Sequence, residues 1–398
     1  MQETAAVLCD IPRDERHVVP EAGTRASSRI TELDGLRGMA VIFVILYHYF
    51  VNLAPAAPGP TLSFFRAWFQ MGWCGVDLFF VLSGFLIGGI LLDAKSSPRY
   101  FKTFYLRRFY RIFPLYYVWI GAYFLLAFVP FLRLPSPLTI QPEKWNIVPV
   151  FALFAQNLVR TWHHGLGITW LGPLWSLGVE EQFYLLMPFV IRFFSRRRLG
   201  LVLALTILLA PLARIIAYSL SPSHSVQYAL TPCRADALAM GVLLALAWRD
   251  DRWKARLASH QKLLYAILGV LLIGVADLAI WHPSPYTYKM SLWGFSCLDA
   301  FFAGLLLLAL TAPQGIWSGC CRWSLLRNIG GVSYCMYLMH AAVGFIFHTS
   351  LHSSNGRIFT VAYLGITILA AGTTWVLAKI SWRYLESPLL RRGHAYRY

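Results

Sequence analysis

The chain has 398 residues, 58% of them hydrophobic, and a mean hydropathy of +0.55. Soluble domains sit at about 45–50% apolar, so the composition excludes an ordinary soluble domain and describes a polytopic membrane protein. The net charge of +17 falls in short loops between apolar runs, where membrane topology accounts for it and no nucleic-acid partner is implied.

Residues 1–29 mix charges with Pro, Gly and Ser and read as a disordered cytoplasmic tail with no cleavable signal peptide. Ten apolar runs then follow, each long enough to cross a bilayer: roughly 38–54, 73–92, 110–131, 173–194, 199–219, 230–248, 262–281, 292–312, 328–349 and 357–379. Trp145–Val159 is a further apolar stretch, but it is short and carries Pro149. Counting it as a crossing would also carry the Ser195–Arg198 cluster to the outside, so it reads as re-entrant or laterally packed. With the N-terminus in the cytoplasm, the inner segments hold 27 of the 35 Lys and Arg residues and the outer segments six. That bias places both termini in the cytoplasm and the chain in the inner or plasma membrane. The expected fold is therefore all-α, a polytopic transmembrane helix bundle of about ten spans plus one re-entrant or lateral segment. It forms a single membrane domain over 30–392, followed by a short cytoplasmic tail at 393–398.

The first span reads LDGLRGMAVIFVILYHY from Leu33 to Tyr49. On an α-helix Arg37 and His48 lie within roughly 20° of one face and ~16 Å apart along the axis. An Arg at the interface then puts His48 near mid-membrane, where a titratable ring has to be paired or face a polar cavity. The second span, GVDLFFVLSGFLIGGILL, carries the small residues Gly75, Gly84, Gly88 and Gly89, where helices approach closely. Ser83 within it is expected to hydrogen-bond inside the bundle, and Asp77 at its outer end to pair or cap.

The loop that follows reads SPRYFKTFYLRRFYRIFP. Its Arg107, Arg108 and Arg111 are interleaved with Tyr105, Phe109, Tyr110 and Phe113. Such a cluster is either an ordinary positive-inside patch on lipid phosphates or a clamp for a phosphate-rich cytoplasmic donor. The fourth span opens GPLWSLGVEEQFY. Glu180 and Glu181 lie about 100° apart on it, so at least one lines a cavity or pairs. Pairing with Arg214 or Arg234 is the structural reading; orienting His48 is the functional one. Asp77, Glu180, Glu181, Arg214, Arg234, Asp236, Asp277 and Asp299 all fall in the outer halves of their spans. That polarity suggests an outward vestibule for an acceptor, with Asp77, Trp175, Arg234 and Asp236 on its wall. His340 reads as a satisfied core histidine, and the terminal WRYLESPLLRR as a basic interfacial segment that seals the bundle. Seven cysteines with no CxxC or His/Cys cluster give no reason to expect a metal site or a disulfide framework.

Taken in order, LDGLRG…H, GVDLFFVLSGFLI, RRFYRIFP, LWSLGVEEQFY, RADALAMG and WRYLESP, over Ile30–Arg392, resemble the acyltransferase-3 family of integral membrane acyltransferases. The resemblance implies ten core transmembrane helices with cytoplasmic ends. It also implies transfer of an acyl group, commonly acetyl, from cytoplasmic acyl-CoA to a sugar hydroxyl. Acyl-CoA is then a co-substrate, with no bound cofactor. By the same resemblance His48 is the catalytic residue and Arg37 shares its motif. Arg107, Arg108 and Arg111 are associated with donor handling, and Glu180 and Glu181 stand in a Glu-Glu-Gln motif. Arg37 and Ser83 are expected at the donor site too, and Glu180 or Glu181 is expected to orient the His48 ring or stabilise its imidazolium. His48 acts as general base or carries the acyl group transiently. The extracytoplasmic hydrolase-like domain fused to some members is not expected here. The acceptor is a surface glycan, a lipid-linked sugar or a glycosylated natural product such as a macrolide, and a homo-oligomer is left open. A transporter or flippase of a glycan or acyl donor is the competing class, since it too needs intramembrane charges and a two-sided cavity.

Overall fold

A backbone without water to bond must satisfy its own N–H and C=O groups, so the apolar runs of this chain form helices. The computed structural model describes residues 30–54, 59–128, 148–158, 170–220, 226–350 and 360–398. The expected tail at 1–29 and both ends of Trp145–Val159 lie outside the described residues. The principal helices among the described residues are α1 (Thr31–Tyr47), α2 (Pro60–Phe69), α3 (Gly75–Asp93), α4 (Tyr100–Phe128), α5 (Trp175–Phe193), α6 (Arg196–Leu220), α7 (Thr231–Trp248), α8 (Gln261–Trp281), α9 (Phe295–Thr311), α10 (Ser324–Gly331), α11 (Ser333–Ser350), α12 (Thr360–Ser381) and α13 (Ser387–His394), with shorter helices at Val148–Ala152, Val226–Ala229, Asp251–Ser259 and Ile316–Cys321. Proline stands in the first turn of α2, α7 and α13, where its missing N–H has no intrahelical partner to lose. No strand occurs among the described residues.

Among the described residues seven helices are long and apolar enough to cross a membrane, and the pair Ser324–Gly331 and Ser333–His348, bent by 79°, makes an eighth if it is counted as one span. The other two expected spans, 110–131 and 173–194, coincide with the continuous helices α4 and α5. The lateral segment is described over 148–158. After the single turn Val148–Ala152 the chain reverses at Phe154, a non-glycine residue in the left-handed region (φ 54°). The Phe154 ring stacks on Tyr116 of α4 at 4.1 Å, and the Tyr116 hydroxyl donates to the Phe151 carbonyl at 2.9 Å. The described part of the segment thus packs sideways on α4.

At the centre is α3, most of whose residues are buried. It packs on α1, α5, α7 and α9, while α6 and α8 leave most of their apolar surface on the outside. The α3–α7 contact is backbone on backbone. A Cβ on Gly84 would run into the Leu238 carbonyl, and one on Gly241 into the Val81 carbonyl. Glycine is what allows these two axes to approach so closely. Gly38 does the same for α1 beneath the Leu326 carbonyl of α10.

Two ion pairs tie α7 to its neighbours. Asp77 of α3 pairs with Arg234 of α7, and Arg214 of α6 pairs with Asp236 of α7 at 2.8 Å. Arg214 also donates to the Ser291 and Cys233 carbonyls at 3.1 and 2.8 Å and to Ser296 Oγ at 2.6 Å. The Arg234 guanidinium lies 4.1 Å from the centre of the Phe295 ring. All four charged side chains are at most 1% exposed. This corrects the expected vestibule: Asp77, Arg234 and Asp236 are sealed as pairs inside the bundle, because an ion in an apolar interior needs a counter-ion more than it needs a cavity. Arg214 and Arg234 are accordingly taken by aspartates, and neither glutamate of α5 pairs with them.

At the other end, α12 passes through a π-helical turn (Trp382–Glu386) into α13, which lies along α4. Thr103 Oγ1 donates to the Arg397 carbonyl at 3.0 Å and Arg107 Nε to the Tyr396 carbonyl at 2.9 Å.

Arg234→Met should lower stability by about 3–5 kcal/mol by stranding the Asp77 carboxylate, and the double variant Asp77→Asn/Arg234→Met should regain part of that loss. Thermal unfolding of the purified protein in detergent measures both. A double variant as unstable as the sum of the two singles would show that the pair is not coupled.

A candidate active site of two adjoining cavities

The first cavity, of about 270 Å³, lies between α1, α3, α4, α5 and α11. Its polar wall is Arg37 from α1, Ser83 from α3, Arg108 and Arg111 from α4, and Glu180 with Tyr184 from α5. Its apolar wall comes largely from α3, through Leu82, Leu86, Ile87 and Ile90. Ser83 Oγ and the Tyr184 hydroxyl are hydrogen-bonded at 2.6 Å, so Ser83 has the bundle role expected for it and also borders the cavity. The lining carries three guanidiniums and one carboxylate, and Arg108 Nε is buried without a hydrogen-bond partner among the described residues. Such a surface suits an anion whose oxygens match planar N–H forks.

Helix spacing alone does not decide which arginines take part, because Arg111 shares a face of α4 with Arg107 at i+4 and with Arg108 at i+3; in the structure it is Arg108 that joins Arg111 at the cavity. Arg107 projects to the other side, where it bonds the Tyr396 carbonyl and stacks over the Tyr398 ring at 5.0 Å. The structure thus joins Arg37, Arg108, Arg111, Ser83 and Glu180, and places Arg107 in the anchorage of the C-terminus. Glu181 points away from Glu180 and lines neither cavity; its Oε1 is buried without a hydrogen-bond partner among the described residues.

The second cavity, of about 350 Å³, holds His48 and Asn52 amid Tyr47, Trp73, Trp175, Tyr228, Tyr286 and Phe345. Of the residues expected to meet an acceptor, Trp175 is here, 4.6 Å from the Tyr228 ring. An aromatic box with a few polar groups is the common lining of a ligand pocket. Helix α1 ends at Tyr47 and continues as a π-helical turn from His48 to Asn52, closed by Leu53 N–H bonding the His48 carbonyl at 3.0 Å. Turns of this kind recur at functional sites because they re-aim side chains.

His48 Nδ1 lies 2.8 Å from the Val44 carbonyl. A carbonyl only accepts, so this nitrogen carries the proton and Nε2 carries the lone pair. The His340 ring packs edge to face on His48, with centroids 4.7 Å apart. Its Nδ1 is likewise committed, to the Tyr337 carbonyl at 2.7 Å, while its Nε2 is buried without a hydrogen-bond partner among the described residues. The partner expected for His48 was a carboxylate at Glu180 or Glu181. The geometry corrects this: Glu180 faces the arginines, and the ring behind His48 is His340. A helix position alone does not say which neighbour a side chain meets. The YLMH spacing of α11, with Tyr337 and His340 three apart on one face, was the available signal for a second polar pair.

The two cavities adjoin. Val76 and Tyr337 line both, and Arg37 and His48 stand about three turns apart on the same helical rod, one in each.

A family model described as an acyltransferase domain matches residues 30–378. The chain is similar to the peptidoglycan O-acetyltransferase OatA of Listeria monocytogenes, with 29% identity over 385 residues, 93% of this chain and 57% of that protein. It is similar to the O-acetyltransferase OatA of Staphylococcus aureus, 28% identical over 91% of this chain and 57% of that protein. It is also similar to the putative peptidoglycan O-acetyltransferase YrhL of Bacillus subtilis, 28% identical over 92% of this chain and 55% of that protein. The chain therefore spans a little over half the length of these relatives. No solved structure matches it.

Because Arg107 holds the C-terminal segment and Arg108 faces the cavity, the two should separate on substitution. Arg107→Gln should raise amide exchange at Gly393–Tyr398 severalfold, and Arg108→Gln should leave that segment's exchange unchanged. Equal exchange in the two variants would show that Arg107 does not anchor the terminus.

Proposed function

Because this chain belongs to the acyltransferase-3 family, we propose that it is a membrane O-acyltransferase which moves an acyl group, most simply acetyl, from acyl-CoA to a hydroxyl of a sugar. The observation that carries this reading is the pair of adjoining cavities. One is cationic and suits a phosphate-bearing donor; the other is aromatic, holds an imidazole with a committed Nδ1–H, and suits the apolar faces of a sugar ring. The acceptor class is a glycan, by analogy with relatives named for peptidoglycan; lipid-linked sugars and glycosylated natural products offer the same hydroxyl chemistry.

In this reading both termini are cytoplasmic and the arginine cavity receives the donor from that side. Arg37, Arg108 and Arg111 bind donor phosphate oxygens, Ser83 borders the same chamber, and Glu180 offsets part of the positive charge and holds the guanidiniums apart. Arg107 acts on the donor site only through the C-terminal segment. His48 Nε2 takes the proton of the acceptor hydroxyl as its oxygen attacks the thioester carbonyl. The C–S bond then breaks, and the imidazolium returns the proton to the departing thiolate. Val44 holds the ring in the tautomer this requires, and His340 packs against it on the side away from the cavity. Transfer through an acyl-imidazole on the same nitrogen is the other route the geometry allows.

Thiol release from acetyl-CoA by the purified protein, with and without a sugar acceptor, tests this. His48→Ala should lose at least about 10²-fold in turnover, the usual range for a general base, with donor binding intact. Arg108→Ala should weaken donor binding about 10–100-fold, the worth of a charge-assisted hydrogen bond. A folded wild type that released no thiol from acetyl or longer donors would sink the reading and favour a carrier of glycans or acyl donors.

A further inference from the structure

Two side chains line both cavities and so stand between them, Tyr337 and Val76. Tyr337 of α11 lines both, and its ring is 6% exposed. Its hydroxyl is hydrogen-bonded to Ser176 Oγ at 2.6 Å and donates to the Pro173 carbonyl at 2.8 Å. Ser176 borders the arginine cavity and Pro173 the aromatic one, so the hydroxyl is fastened to the rim of each. Ser176 Oγ itself lies 3.3 Å from the Pro173 carbonyl, which closes the set. On its faces Tyr337 meets the ring of Phe79 at 6.0 Å and that of His340 at 5.6 Å. Val76 of α3 supplies the other half of the wall.

A thioester held by Arg37, Arg108 and Arg111 has to present its carbonyl to His48, and the two groups stand on opposite sides of this wall. The acyl group, at the leading end of the donor, therefore meets Tyr337 and Val76 before it meets His48. We propose that Tyr337, tethered through Ser176 and Pro173, is the specificity-determining partition of the site: it limits the acyl group to a short one and keeps the thioester from water in the aromatic cavity until an acceptor is seated there. This rests on the acyltransferase reading above. The side reaction that the partition suppresses is hydrolysis. There the water oxygen attacks the thioester carbonyl carbon while His48 takes its proton. The C–S bond breaks to give a carboxylic acid, and the thiolate recovers the proton as free thiol.

A tether and a wall are separable by substitution. Tyr337→Phe keeps the ring and removes both hydrogen bonds; Tyr337→Ala removes the wall; Val76→Ala thins it from the other side without touching the hydroxyl. Each is compared with wild type for thiol release from acetyl-, butyryl- and octanoyl-CoA, with and without a sugar acceptor. Tyr337→Phe should raise acceptor-independent release severalfold relative to acceptor-dependent release, with little change in chain-length preference. Tyr337→Ala should raise the ratio of kcat/KM for butyryl- and octanoyl-CoA over acetyl-CoA about tenfold or more. Val76→Ala should move the same ratio in the same direction, and it decides the matter if Tyr337→Ala does not fold. Active, folded Tyr337→Ala or Val76→Ala with wild-type chain-length ratios would overturn the partition while leaving the acyltransferase reading in place. A wild type that releases no thiol from any donor would overturn both.

Discussion

Arg234 is enclosed by the carboxylate of Asp77 and the face of Phe295, and Arg214 by Asp236, Ser296 and two carbonyls, all with almost no exposure. An unpaired charge in such an interior costs several kcal/mol, so these contacts tolerate little slippage of α3, α6 and α7 past one another. The glycines at 84 and 241 let the helix axes come close enough for the pairs to form. Asp77 is next to Val76 in the chain, and α3 carries Ser83, Leu86 and Ile90 along the same cavity wall. Locking the rotation of α3 on one side therefore sets the shape of the arginine cavity on the other.

The charges of this protein thus divide into two kinds by what surrounds them. Around α7 each guanidinium has its own carboxylate, and the pairs are sealed. Around α4 and α5 three guanidiniums face a single carboxylate across an open volume. In the first arrangement Asp77 Oδ2, Asp236 Oδ1 and two nitrogens of Arg234 have no hydrogen-bond partner among the described residues, but these side chains line neither cavity. In the second, the unpartnered Arg108 Nε belongs to a side chain that borders an open volume. Both use the same residue types; what separates them is the ratio of guanidiniums to carboxylates and the open volume beside the second set.

Helix α11 joins the two halves of the site. It presents Tyr337 to the wall between the cavities and His340 to the back of His48, and the Tyr337 carbonyl holds the His340 ring. The Tyr337 hydroxyl and the His340 ring are thus coupled through one turn of helix. The connection of Tyr337 and His340 is local in sequence even though both of their targets, α1 and the start of α5, are far away in the chain.

Much of this was legible in the residues themselves. Run length and charge bias identify the helical bundle, because bilayer thickness and backbone hydrogen bonding leave few alternatives. The 11-residue spacing places Arg37 and His48 on one face, and adjacent positions send Glu180 and Glu181 apart, because helix periodicity is a local property. Partner choice was not legible. That Arg234 meets Asp77 rather than a glutamate, that Arg107 turns to the C-terminus while Arg108 turns to the cavity, and that a histidine rather than a carboxylate backs His48 all depend on contacts between residues distant in the chain. The sequence by itself determined the helices, their faces and the residue types available for chemistry. Only the tertiary structure decided which charges pair, which border a cavity and which ring lies against His48, because those outcomes are set by how helices pack and not by where one residue stands on its own helix.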